Sequence, residues 1–262
     1  MTNPKYRQIA DSLREEIDAG VLKAGTQLST EIELSGQWRA SRSTVREAIK
    51  LLTELGLVEA RPGQGTFVRA KIVPFVTDLS ADPAKFGERD GDLYSQSVKA
   101  QHRVPDSTTP RVETHLAVGE VATELELPAR SLVLSRHQQR FIDGQPYSLQ
   151  TSFFSMNLVT VRGADRLIVA EDIREGSTQY LRDALGVKEA GYRYLITVRT
   201  PDRIETTFFR LPEDGRVGVF ENLRTSYDQD GNPFRLTVTV CPGDRNEFVM
   251  NGPDPDIPDE PH

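Results

Sequence analysis

The apolar positions in residues 5–55 follow a helical spacing three times. In residues 5–19 they recur every three or four positions, at Tyr6, Ile9, Ala10, Leu13 and Ile17, which predicts an amphipathic helix. Thr30 and Glu33 have the spacing of a capping box, so a second, short helix is predicted from Glu31 to Trp38. Ser41 can cap a third helix, whose apolar stripe is Val45, Ala48, Ile49, Leu52 and Leu55.

The segment after the third helix has no helical period. "LVEARPGQGTFVRA" (57–70) predicts two short strands around a Pro-Gly-x-Gly turn. The connection between the second and third helices is very short, as in a helix-turn-helix. We therefore predict three helices and a hairpin for residues 1–70, followed by a linker at 71–92 that includes a short strand near Ile72–Val76.

From about residue 93 the apolar positions alternate instead. Period-two patterns predict strands at 131–142, 145–155, 190–200, 216–227 and 233–241. Helical patterns fall between them at 118–126, 176–185 and 203–210. Asp-Gly turns within 142–146 and 229–233 predict hairpins. Residues 93–250 therefore suggest an α+β domain with a mainly antiparallel sheet, and the Pro- and acid-rich residues 251–262 a disordered tail.

Charge is distributed unevenly along the 262 residues, whose net charge is −7. Residues 1–70 hold 10 Lys and Arg against 9 Asp and Glu, while the remainder holds 22 against 30. The first domain can therefore carry a local basic face despite the acidic whole. The single cysteine, Cys241, excludes an internal disulfide, and no apolar run suits a membrane helix. A reducing cytoplasm and no membrane partner are expected.

The start of the third helix is unusually polar. Arg42, Ser43, Thr44, Arg46 and Lys50 point away from the apolar stripe. A helix N-terminus favours phosphate, and arginine can bind phosphate or guanine edges. From this stretch alone a solvated face is an equal alternative.

The predicted hairpin favours double-stranded DNA as the partner of this helix. Its turn holds Arg61, Gly63, Gln64 and Gly65, and glycines permit close approach to a phosphate strand. A polar helix start that follows a tight turn, with a wing nearby, is typical of insertion into the major groove.

These residues resemble the GntR-type winged-helix transcription regulators. The resemblance rests on "YRQIADSLREEIDAGVLKAGTQLSTEIELS" and "SRSTVREAIKLLTELGLVEARPGQGTFV" and covers residues 5–68. It implies that Arg42, Ser43, Thr44 and Arg46 contact DNA from the recognition helix, with Gly63, Gln64 and Gly65 in the wing at the minor groove. We expect a homodimer that binds a palindromic operator. One position departs from the family, in which an arginine often stands where this chain has Ile32.

Residues 93–250 resemble the UTRA effector-binding domain, whose fold is similar to chorismate lyase. The resemblance rests on "RHQQRFIDGQPYSLQTSFF", "EGSTQYLRDALGV", "ITVRTP" and "DGNPFRLTVTVCPGDRNEF". It implies a small-molecule effector. Gly176-Ser177 matches a phosphate ligand of sugar-phosphate-sensing relatives, and Gln150 and Arg235 stand where sugar binders often have glutamate.

Alternation gives the predicted strands polar faces. Arg136, Gln138 and Arg140 share one face of their strand, and Ser148, Gln150 and Ser152 do so on the next. Arg235, Thr237 and Thr239 share a face of the last strand. For any single strand, plain solvent exposure is the alternative. Facing one cleft, these strands suit a phosphorylated or carboxylated metabolite other than an amino-sugar phosphate, and the predicted effector residues are Arg136, Gln138, Arg140, Gln150, Ser177 and Arg235.

No pattern points to catalysis or to a cofactor. The histidines (His102, His115, His137 and His262) lack metal spacing, and no nucleophile elbow or nucleotide-binding glycine motif occurs. We therefore expect a repressor released by a small metabolite, and no enzyme. Two alternatives stay open: an effector-independent regulator of a plasmid or mobile element, and a chorismate-lyase-like enzyme.

Overall fold

The computed structural model describes residues 3–69, 72–80, 93–128 and 130–251. The chain divides into two compact units, Met1–Val73 and Pro74–His262. Among the described residues, no helix is long and apolar enough to cross a membrane.

The first unit has the predicted order of three helices and a hairpin. Its elements are α1 (Lys5–Asp18), α2 (Glu31–Trp38), α3 (Arg42–Glu54), β1 (Val58–Arg61) and β2 (Gly65–Val68). The predicted stripes meet in one core, where Ile9, Leu34, Val45 and Leu52 are buried. Both hydrogen bonds of the capping box at Thr30 are present, so the start of α2 is set locally.

The hairpin closes this core. β1 and β2 pair antiparallel from Val58↔Val68 to Arg61↔Gly65. Val58 and Val68 are buried in the helical core, whereas the turn between the strands is exposed. The result is a winged helix-turn-helix.

The second unit is an α+β domain built on a seven-stranded sheet. Its helices are α4 (Leu93–Ala100), α5 (Gly119–Glu124), α6 (Asn157–Thr160), α7 (Ser177–Leu185) and α8 (Arg203–Phe209). A 3-10 turn spans Asp165–Ile168. The strands are β3 (Phe75–Asp78), β4 (Pro105–Ser107), β5 (Arg111–Leu116), β6 (Leu132–Ile142), β7 (Gln145–Ser155), β8 (Glu189–Arg199), β9 (Val219–Asp228), β10 (Pro233–Pro242) and β11 (Asn246–Val249).

The large sheet is antiparallel throughout, in the order β4-β6-β7-β10-β9-β8, and β5 continues the edge of β6 beyond β4. The predicted Asp-Gly hairpin joins β6 to β7. Asp143 and Gly144 both have positive φ, 52° and 72°, as a two-residue hairpin turn requires. This turn brings the polar faces of β6 and β7 into register.

A strand falls within the segment predicted as the linker. β3 lies at Phe75–Asp78, later than the predicted 72–76, and it pairs in parallel with β11 of the second unit. Phe75 is buried beside Val98 and Tyr147, which explains why this strand belongs to the second unit. Residues 71 and 81–92 of the predicted linker and residues 252–262 of the predicted tail lie outside the described residues.

One face of the large sheet is only partly covered. At one end α6 and α7 pack on Leu134, Phe154 and Phe234. Further along the same face the side chains of β6, β7, β10 and β9 are polar. That uncovered stretch forms the floor of a cleft.

Candidate functional site

The outward face of α3 carries the predicted DNA contacts. Arg42, Ser43, Arg46 and Lys50 are exposed, and Thr44 is half-buried. The Ser41 Oγ accepts from the Thr44 backbone N–H at 3.2 Å, so the first turn is capped. The Ser43 and Thr44 hydroxyls lie 2.7 and 2.8 Å from the same Ser41 oxygen, which makes a compact group of hydroxyls at the helix start.

Arg46 has a defined partner. Its Nε donates to Oε1 of Glu31 at 3.1 Å, and its Nη2 donates to Oε2 at 2.8 Å. The hydrogen bond from Arg46 holds the pKa of Glu31 below its ordinary value. The Arg46 side chain is nevertheless 69% exposed, so the guanidinium stays accessible from solvent.

The turn of the wing brings together the other predicted DNA residues: Arg61, Gly63, Gln64 and Gly65 are all exposed. The Gln27 side chain holds this turn, because its Nε2 donates to the Gln64 carbonyl at 2.7 Å. Gly65 has φ of 112°, and a Cβ there would lie 2.6 Å from that nitrogen. The positive φ, which residues with a Cβ rarely adopt, favours glycine at this position, and a Cβ there would also displace the Gln27 side chain.

The second unit contains a cleft of about 520 Å³ on the polar face of the sheet. Its wall includes all six predicted effector residues: Arg136, Gln138, Arg140, Gln150, Ser177 and Arg235. Strand pairing accounts for their proximity, with Arg136 opposite Ser152, Gln138 opposite Gln150 and Arg140 opposite Ser148. The predicted polar faces thus share one cleft, and contact with an effector stays a prediction.

The N-terminus of α7 opens into this cleft. Gly176 precedes it with φ of 85° and provides no side-chain cap. Ser177 accepts a hydrogen bond from Arg235 Nη1 at 3.2 Å. Thr178 is only 1% exposed, and its hydroxyl has no hydrogen-bond partner among the described residues. Uncapped N–H groups beside an arginine and a buried hydroxyl suit an oxyanion.

The cleft has an excess of positive charge. Among the residues that the structure describes, four arginines and two acids, Asp78 and Asp172, line it. Arg224 and Arg235 share one carboxylate behind the wall: Arg224 donates to Glu189 Oε1, and Arg235 Nη2 lies 3.6 Å from Glu189 Oε2. Two arginines thus lie against one buried glutamate at the wall of the cleft.

Arg136 and Gln138 also donate hydrogen bonds to backbone carbonyls. The Arg136 guanidinium donates to the carbonyls of Leu167 and Glu171, each at 2.6 Å, and so anchors the segment that precedes α7. Gln138 Nε2 donates to the Thr108 carbonyl at 3.1 Å.

Two protein-family models match this chain, one in each unit. A model described as "Bacterial regulatory proteins, gntR family" matches residues 5–68, and a model of the UTRA domain matches residues 100–247. This chain is a GntR-family regulator with a UTRA domain.

Curated relatives of this GntR-family chain are regulators. The Escherichia coli (strain K12) protein named "Probable fructoselysine utilization operon transcriptional repressor" is 25% identical over 248 residues, 94% of this chain and 93% of that protein. The repressor MngR of the mannosyl-D-glycerate transport/metabolism system, also from Escherichia coli (strain K12), is 39% identical over 94 residues, 36% of this chain and 39% of that protein.

Solved structures share the fold. A GntR-family transcriptional regulator has a TM-score of 0.59 at 22% identity and covers 96% of this chain and 98% of its own. PhnF from Mycobacterium smegmatis has a TM-score of 0.56 at 22% identity and covers 93% and 98%. The predicted fold class is confirmed. The predicted function is also confirmed, at the level of a DNA-binding transcription repressor with a ligand-binding UTRA domain. The curated relatives named above are regulators rather than enzymes.

The UTRA cleft also contains residues that the sequence prediction omitted. Asn222 and Arg224 line it from β9, and alternation along 216–227 could have identified them. The Asn222 Oδ1 is buried with no hydrogen-bond partner among the described residues. Tyr94, whose ring lies 4.4 Å from the Arg140 guanidinium, comes from α4, a helix that no pattern predicted.

Proposed function

We propose that this GntR/UTRA chain is a homodimeric repressor that binds a palindromic operator and leaves it when a small anionic metabolite binds in the cleft. The observation that carries the proposal is the UTRA cleft, where arginines, an uncapped helix start and two buried oxygens without partners in the described part of the chain face one cavity. Buried polar groups nearly always have hydrogen-bond partners, so such atoms in a cleft favour a ligand that supplies them.

The proposed DNA contacts lie on α3 and the wing. Arg42, Ser43, Thr44, Arg46 and Lys50 enter the major groove, where arginine binds guanine edges and the hydroxyls reach bases or phosphate. The residues Arg61, Gly63, Gln64 and Gly65 approach the minor groove. In a two-fold dimer the half-sites lie about one helical turn apart.

The DNA contact is tested with an operator selected from random duplexes. Arg46→Ala should weaken binding by about 1–3 kcal/mol if Arg46 contacts a base. Arg14→Ala is the matched control. Arg14 is also exposed and forms an ion pair with Asp18 on α1, so its substitution removes the same charge away from the proposed contacts. Equal affinities for parent and Arg46→Ala in a gel-shift titration at fixed salt would refute the contact.

The effector is expected to carry a phosphate or a carboxylate. Ser177, Thr178 and Arg235 offer a hydroxyl, a buried oxygen and a cation at the start of α7. Arg140 adds a second cation to the cleft, and Gln138 and Gln150 supply amides for hydroxyl groups. The names of two relatives refer to small compounds, mannosyl-D-glycerate and fructoselysine, which supports a small-molecule effector here.

Native mass spectrometry of the full chain purified from its own cells tests the effector. We expect a bound small acid that is lost on unfolding and whose addition releases the operator. If the purified protein holds no ligand and metabolite extract does not change its affinity for the operator, the alternative of an effector-independent regulator is favoured.

The proposal assigns no catalysis and no cofactor. The matched families regulate transcription. Within the described part of the chain, no three His, Cys, Asp or Glu residues are grouped to hold a metal. Since its target is DNA, we place the protein in the cytoplasm.

A further inference from the structure

The ion pair between Arg46 and Glu31 joins the proposed recognition helix to α2. We propose that Glu31 is a positioning residue that sets the sequence specificity of Arg46. This rests on the proposed contact between Arg46 and DNA.

The geometry leaves one edge of the guanidinium for DNA. Glu31 accepts from Nε and Nη2, which form the side edge of the guanidinium plane. The end edge, one N–H from each terminal nitrogen, is separate from that side. Two parallel N–H groups on this edge match O6 and N7 of a guanine. Arg46 can therefore hold Glu31 and contact a guanine at the same time.

The backbone of Glu31 is fixed independently of Arg46. Glu31 is the first residue of α2, where the helix dipole favours a carboxylate. The capping box between Thr30 and Glu33 sets the start of that helix. The two hydrogen bonds to Glu31 restrict the long Arg46 side chain before DNA arrives, and immobilising such a side chain typically costs about 0.5–1.5 kcal/mol.

The charge of Glu31 also works against the wrong sequence. A carboxylate near DNA repels phosphates whatever the sequence. When the end edge of Arg46 contacts a guanine, its two new hydrogen bonds outweigh this repulsion, whereas no other base offers both O6 and N7 as acceptors. Specificity of this kind needs a repulsive element as well as an attractive one.

The test measures discrimination rather than affinity alone. The base pair that Arg46 contacts is identified first: its substitution lowers the affinity of the parent but not that of Arg46→Ala. Discrimination is the ratio of affinities for the selected operator and for the duplex substituted at that pair. Glu31→Gln removes the charge, and Glu31→Asp keeps it but is too short for both bonds. Each should lower the discrimination about two- to tenfold, with an unchanged thermal midpoint.

The matched control is Asp18→Asn. Asp18 also lies in an exposed ion pair, 3.5 Å from Arg14 on α1, and its replacement removes the same charge without touching Arg46. Its discrimination should equal that of the parent. In an Arg46→Ala background, Glu31→Gln should have no further effect on discrimination, because the two residues act as one unit.

Two results would overturn the inference, and they differ. If Glu31→Gln and Glu31→Asp keep the parent's discrimination while Arg46→Ala loses it, Glu31 does not position the arginine. If Arg46→Ala itself binds as the parent does, the proposed DNA contact fails, and the inference fails with it.

Discussion

The shared ion pair behind the cleft gives the sharpest prediction. Glu189 is 8% exposed and is the carboxylate partner of both Arg224 and Arg235. Glu189→Gln keeps the shape of the side chain but removes its charge. The two nearly buried guanidinium groups then lose the carboxylate that they share. The resulting drop in the free energy of unfolding exceeds the net contribution of the ion pair, because buried positive charge is left uncompensated.

The expected loss of stability is about 3 kcal/mol. Removing one partner of a buried ion pair costs roughly 3–5 kcal/mol. The side chains of Arg224 and Arg235 retain 18% and 14% exposure toward the cleft, which places this case at the lower end. For a domain of this size the midpoint should fall by about 6–12 °C.

Thermal unfolding of the full chain, with and without inorganic phosphate, measures the effect. Phosphate should restore more stability to Glu189→Gln than to the parent, since an anion in the cleft replaces the lost charge. Glu175→Gln is the control, because Glu175 pairs with Arg166 in the same domain at an exposed site, where the loss should stay within about 0.5 kcal/mol. If Glu189→Gln melts at the same temperature as Glu175→Gln, and phosphate stabilises Glu189→Gln and the parent equally, the cleft has no excess of positive charge.

Two further predictions concern the wing and the cleft. Gly65→Ala should weaken operator binding in a gel-shift titration more than Gly63→Ala does. Both positions have positive φ, but of the two only Gly65 has a side chain, that of Gln27, within reach of the new Cβ. Equal losses of affinity would show that the wing tolerates this contact. Arg140→Ala and Ser177→Ala should keep the parent's operator affinity but prevent release by the co-purified metabolite, and normal release in either variant would remove that residue from the effector site.

The first domain was predictable because its signals are local. The capping residues Thr30 and Ser41 lie next to the helices that they begin, and each helix carries an apolar stripe of its own. The predicted boundaries of α2 and α3 therefore agree with the structure to within a residue. The bidentate contact between Glu31 and Arg46 joins residues 15 positions apart, and no spacing rule indicates it.

The second domain was predictable strand by strand but not as a site. Alternation assigns Arg136, Gln150 and Arg235 to polar faces, because successive side chains of a strand point to opposite sides. The strand β3 was misplaced by a few residues, because its partner β11 lies about 170 residues further along the chain. Likewise, the side-chain hydrogen bonds that hold α4 to this strand come from Gln101, outside any periodic pattern.

The sequence by itself determined the helices and hairpin of the first domain, the long strands of the second domain with their polar faces, and that the start of α3 is chemically suited to DNA. The tertiary structure decided that the polar faces share one cleft, that Arg136 binds backbone carbonyls, and that Arg224 and Arg235 share Glu189. The reason is physical. Periodicity and capping act over a few residues, whereas strand order and the partners of buried charges depend on which distant segments pack together.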